Sequence, residues 1–159
     1  MIIGNEWIDS DKRFDVINPY TREMVDTVPV VSPMLLEKAL QQSYEYQCDL
    51  TGLERASILS GTAATLEIQR DTIARLITSE SGLCIKHALY EIDRAINCLQ
   101  FSVLQAAKID DIDVTADFVS NPNTFDPRLA VITEPWDLAV GITPFNHPLN
   151  MVVHKVAPA

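Results

Sequence analysis

The stretch from Leu138 to Ala159 constrains this chain more than any other. It opens with a short apolar run, Leu138 to Ile142, of the length and character of a buried strand. Thr143-Pro144 ends that run, because proline brings no N–H to a sheet ladder. Asn146-His147-Pro148 then predicts a helix start, with asparagine as the cap and proline in the first turn. The order is strand, tight turn and helix, with the Asn146 carboxamide at the turn. Open α/β sheets place ligands at such a junction, outside the carboxyl end of a strand and against a helix N-terminus. A carboxamide held there can donate to an oxygen that gains negative charge during a reaction. It can equally be a cap and nothing more, and capping is the commoner role for an asparagine so placed.

A resemblance bears on that choice. Ile142-Thr143-Pro144-Phe145-Asn146-x-Pro148-Leu149-Asn150, followed by His154-Lys155-x-Ala157-Pro158-Ala159, resembles a long and specific segment of the aldehyde dehydrogenase superfamily. Ile17 to Glu23 with Val28-Pro29-Val30 resembles the start of the same family. Glu134-Pro135 resembles its strand-entry motif, although Trp136-Asp137 stands where a glycine usually follows. The resemblance implies an α/β fold, the N-terminal part of the aldehyde dehydrogenase fold. That part is a helical bundle with antiparallel hairpins and the first strand-turn-helix of a Rossmann-like dinucleotide-binding domain. Residues 1–111 and 134–159 would belong to the NAD(P)-binding domain, and 112–133 would form an oligomerisation hairpin. The catalytic domain would lie outside this chain.

The same resemblance implies NAD or NADP as cofactor, an aldehyde as substrate and a homo-oligomer in the full-length protein. Asn146 would be catalytic, donating to the oxyanion of the tetrahedral adduct. Ile142, Thr143, Pro144 and Phe145 would bind the cofactor along its nicotinamide ribose. The nucleophilic cysteine, the general-base glutamate and the lysine on the adenosine ribose lie beyond Ala159 in the family. On that basis the 159 residues alone are expected to bind NAD weakly or not at all and to oxidise no aldehyde.

Glu80 to Cys84, Leu89-Tyr90-Glu91-Ile92-x-Arg94-Ala95 and His147 resemble one branch, the phosphonoacetaldehyde dehydrogenases. That implies substrate-binding roles for Arg94 and His147 on an anionic group. A guanidinium can hold a phosphonate through parallel hydrogen bonds, and a histidine beside an anion is favoured in its charged form. An arginine suits a carboxylate as well, so a lactaldehyde or semialdehyde dehydrogenase is the alternative. Without the resemblance, Arg94 is a helix-flank arginine of the kind that usually sits in water.

The remainder reads as packing. Ile2 to Ile8 with Gly4-Asn5 predicts a short hairpin, and Phe14–Ile17 and Glu23–Pro29 predict further strands. Helices are expected from Ser32-Pro33 to about Cys48, from about Leu53 to Gln69, from about Asp71 to Ser81 and from about Ile85 to Lys108. Leu35, Leu36, Ala39, Leu40 and Tyr44 form the stripe of the first of these. Ile85, Leu89, Ile92, Ile96, Leu99 and Val103 share one face of the last. Asp110 to Asp113 predicts a solvated turn, and Val114–Val119 and Leu129–Thr133 predict a strand pair.

Composition excludes several partners. The net charge of −10 disfavours nucleic acid and anionic membrane. No apolar run approaches a membrane span, and no basic-then-apolar leader is visible at Met1 to Glu6. Cys48, Cys84 and Cys98 make neither a disulfide framework nor a zinc pattern, so no metal is expected and reduced, cytoplasmic thiols are the default. All three are expected on helices as buried, unreactive thiols. Three readings remain: the N-terminal fragment of an aldehyde dehydrogenase, inactive alone; a non-catalytic remnant serving as an interaction module; and a half-enzyme completed by a separate chain.

Overall fold

The computed structural model describes residues 1–109 and 136–159. The acidic turn, the strand pair, the 112–133 hairpin and Glu134-Pro135 of the sequence reading lie outside the described residues.

Two antiparallel hairpins open the chain. β1 (Ile2–Ile3) pairs with β2 (Glu6–Trp7), and β3 (Arg13–Ile17) pairs with β4 (Met24–Pro29). Gly4, at φ +59°, turns the first pair. In the second, the register slips between Val16 and Ile17. The turn beyond is closed by Asn18, whose Oδ1 accepts from the amides of Tyr20 at 2.9 Å and Thr21 at 3.1 Å.

Five helices follow among the described residues, and local chemistry sets several of their ends. α1 (Pro33–Glu45) starts where Ser32 accepts from the Leu35 amide at 3.2 Å, with Pro33 in the first turn. α2 (Gly52–Ile68) opens with a reciprocal cap. The Thr51 hydroxyl accepts from the Glu54 amide, and the Glu54 carboxylate accepts from the Thr51 amide at 2.9 Å. α3 (Arg70–Ser81) ends at Gly82, whose amide donates to Thr78 and whose φ is +75°. α4 (Ile85–Ala106) is the longest element, and α5 (Asn150–Val156) is the shortest helix.

α4 is the axis of the core. It packs on α2, α3 and α5. Ala63 of α2, Ala74 and Ile77 of α3, and Ala88, Ile92, Ile96 and Leu99 of α4 form one buried cluster. Leu149, Val153 and Ala157 close it from the C-terminal side. Alanines at the contacts leave room for helix backbones to approach closely. Arg70 clamps α3 to α4 through two parallel bonds to Asp93, at 2.8 and 2.9 Å, and that carboxylate raises the arginine's pKa.

Some expectations need correction. α1 forms, but none of its residues is buried; Leu36, Leu40 and Tyr44 of its stripe are exposed. The expected strand at Leu138 to Ile142 joins no ladder among the described residues, because an apolar run becomes a strand only with a neighbour to pair with. The last helix begins at Asn150, not at Asn146-His147-Pro148; residues 145–149 form a bend and turn instead. Cys48 and Cys84 are exposed and outside the helices, since α1 stops at Glu45 and Cys84 is the cap position before α4. Cys98 lies in α4 and is partly buried.

Gly82 is required twice. Its φ favours glycine, and a Cβ there would meet Pro19 Cγ at 2.8 Å, where the β3–β4 turn rests on α3. Gly82→Ala is expected to lower stability by more than ~1 kcal/mol, read as a fall in the urea midpoint. At the α2 cap, the hydrogen bonds from the Thr51 amide and then its hydroxyl hold the Glu54 carboxyl below its ordinary value. A lowered folded value means the cap is intact above the unfolded pKa and is lost as pH falls through the folded one. The Thr51 amide resonance should therefore titrate in acid, and Glu54→Gln, which keeps an acceptor but cannot titrate, should flatten that curve.

Candidate functional site

The bend at 145–147 carries three of the predicted residues, Phe145, Asn146 and His147. Asn146 is exposed and lies outside any helix. Its four predecessors are exposed too, Ile142 at 84% and Phe145 at 91%. Trp136 and Val140 extend the same open apolar strip. The backbone of 138–146 makes no hydrogen bond to another described residue. Gly141 runs past Lys155 of α5 with room for a methyl group: a Cβ built there would lie 3.5 Å from the Lys155 Cβ, ordinary van der Waals distance.

Beyond Asn146 the chain is tightly held. Glu91, on the buried face of α4, is 1% exposed. Its Oε1 accepts from the amides of Leu149 at 2.8 Å and Asn150 at 3.0 Å. Its Oε2 lies 3.4 Å from Nδ1 of His147, whose side chain is 43% exposed. The Met151 amide donates to the His147 carbonyl at 3.1 Å, which begins the helical pattern. Asn150 is buried, and its Oδ1 has no donor among the described residues.

The structure thus places His147 beside α4, the helix that carries Arg94. Arg94 is exposed and has no ion pair or hydrogen bond among the described residues. It stands three residues from Glu91, so the two occupy neighbouring positions on the helix surface. Asn146 and the 142–145 strip adjoin this cluster along the chain. Sequence reasoning missed the function of Glu91 itself. A signal was present: Glu91 falls among Ala88, Ile92, Ala95 and Leu99, all on the buried face, where an unpaired carboxylate is costly.

For the cofactor, the residues present fit one wall and no more. An exposed apolar strip with unengaged backbone groups can lie against a ribose and a flat ring. No group of three or more histidine, cysteine or acidic residues able to hold a metal exists among the described residues. No helix among them is long and apolar enough to cross a membrane. A separate groove of about 970 Å³ lies between α2, α4 and the end of α5, lined by Ile58, Phe101 and Val156 among others, and does not reach Asn146.

Comparison with known proteins agrees with this architecture. A family model described as "Aldehyde dehydrogenase family" matches residues 7–159. The chain is 32% identical over 162 residues to a lactaldehyde dehydrogenase of Methanococcus aeolicus, covering 100% of this chain and 33% of that protein. It is 31% identical over 163 residues to the mitochondrial succinate-semialdehyde dehydrogenase of Arabidopsis thaliana, covering 99% of this chain and 30% of that one. A crystal structure of Staphylococcus aureus betaine aldehyde dehydrogenase with NAD+ superimposes at a TM-score of 0.76 and 25% identity, over 98% of this chain and 31% of the other. In fold alone, Methanocaldococcus jannaschii glyceraldehyde-3-phosphate dehydrogenase with NADP matches at 0.70 and 23% identity, over 93% and 32%. The chain spans about a third of the length of the curated relatives it matches. With the family match running through the second hairpin, the α4 core and the Asn146 turn alike, the chain belongs to the aldehyde dehydrogenase family.

Proposed function

We propose that this chain is the N-terminal part of an NAD(P)-dependent aldehyde dehydrogenase whose substrate is a short oxygenated or anionic aldehyde of the lactaldehyde or semialdehyde class. The observation that carries this reading is the Asn146 carboxamide, exposed on a bend inside a family segment and followed at once by a fixed turn. In such an enzyme a thiolate from outside residues 1–159 adds to the aldehyde carbon, and the carbonyl electron pair moves onto oxygen. Asn146 donates an N–H to that oxygen. The 142–145 strip forms a wall for the nicotinamide ribose, and the bound cofactor supplies the hydride acceptor. Solved relatives carry NAD+ or NADP, so both cofactors suit the reading.

The names of the relatives support lactaldehyde and semialdehyde better than phosphonoacetaldehyde; 3-sulfolactaldehyde dehydrogenase of Priestia megaterium, 26% identical, adds an anionic case. His147 and the exposed Arg94 suit an anionic tail. Residues 1–111 and 134–159 serve the cofactor domain, and 112–133 serves assembly into a homo-oligomer.

In the complete enzyme, Asn146→Ala should lower kcat by about 10²–10³-fold, the usual cost of one oxyanion donor, with little change in the Kd for NAD. Unchanged turnover would remove the role. Arg94→Ala should lower kcat/KM for succinic semialdehyde by at least about tenfold, the scale of one lost charged hydrogen bond, and spare the uncharged lactaldehyde. Equal losses on both would end the anion role, and a wild-type preference for phosphonoacetaldehyde over both would restore that narrower assignment. The 159-residue chain alone should show neither tight NAD binding by titration nor NADH formation from an aldehyde.

A further inference from the structure

We infer that Glu91 is the positioning residue of the Asn146 turn: its buried carboxylate caps the start of α5 across 58 residues of sequence and fixes the ring of His147. The need arises from α5 itself. Its seven residues are too few for a helix to hold its shape unaided. Its first amides require acceptors, and its cap residue, Leu149, offers no side-chain bond. Glu91 Oε1 takes the amides of Leu149 and Asn150 in their place. A negative group at this end also complements the helix dipole.

The dependence is mutual. A buried carboxylate is costly without partners, and these two amides are its backbone partners. The second oxygen faces His147. A carboxylate only accepts, so Nδ1 carries the proton and donates, and Nε2 is left for the open side of the ring. One anion therefore sets both the path of the backbone immediately after Asn146 and the direction in which His147 presents its free nitrogen. That this turn serves an aldehyde rests on the proposed function; that Glu91 holds the turn does not.

Nitrogen-15 NMR of the 159-residue chain tests the inference. In Glu91→Ala, amide exchange at Leu149 and Asn150 should rise by at least about tenfold, as expected when a local cap opens, while Ile96 and Leu99 in α4 keep their protection. Glu91→Gln is decisive where the alanine variant fails to fold. Its NH₂ accepts nothing, so its single oxygen can serve the amides or His147 but not both. Either the protection at Leu149 and Asn150 falls, or the imidazole nitrogen shifts of His147 move away from the Nδ1–H tautomer. Both readouts matching wild type would overturn the inference. So would His147→Ala removing the amide protection as fully as Glu91→Ala. A complete enzyme indifferent to Asn146→Ala would sink the proposed function without altering these spectra.

Discussion

One carboxylate joins the helical core to the C-terminal turn. Glu91 has no exposed surface of consequence, and its hydrogen bonds among the described residues run to residues 147–150. Hydrogen bonds to a charged group contribute about 1.5–3 kcal/mol each when buried, more than a short helix of this length gains from its own backbone. Apolar contacts assist: Leu149, Val153 and Ala157 lie against the cluster that Ile92 and Ile96 dominate. Those contacts hold α5 against α4, but they are non-directional. The carboxylate supplies direction, because two amides and one imidazole nitrogen must converge on two oxygens.

α4 is built to present that group. Ala88 and Ala95 flank Glu91 at one turn on either side, and both are fully buried. Fully buried alanines leave no room for larger side chains on this face of α4. The Arg70–Asp93 clamp lies two residues along, on a more exposed flank, and ties α3 to the same helix. Sequence gives local structure, local structure gives a buried polar point on an apolar face, and that point orients a bend 56 residues away in sequence.

Most of the helical part was legible because its signals are local. Ser32-Pro33 marks α1, Gly82 closes α3, and the stripe of Ile92, Ile96 and Leu99 marks the buried side of α4. Thr51-x-x-Glu54 is equally local and was readable as a reciprocal cap. The start of α5 was misplaced because Asn146 and Pro148 look like cap and first turn, while the true cap is a side chain from another helix. No window of neighbouring residues contains that information. The strand at 138–142 failed for a related reason, since pairing partners are long-range by nature. The stripe of α1 shows the same limit: periodicity identifies an apolar face and says nothing of what covers it.

The two halves of the candidate site differ in how they are held. From His147 onward the described residues hold the chain through Glu91 and the apolar cluster. From Trp136 to Phe145 the residues are exposed, and the backbone of 138–146 makes no hydrogen bond to another described residue. Asn146 sits at the boundary. Its position is therefore fixed from the C-terminal side, through one peptide unit to His147 and from there to Glu91. Under the proposed function this is the useful division, because an oxyanion donor must be preorganised before charge develops, whereas a wall for a cofactor need only be complementary once the cofactor is there.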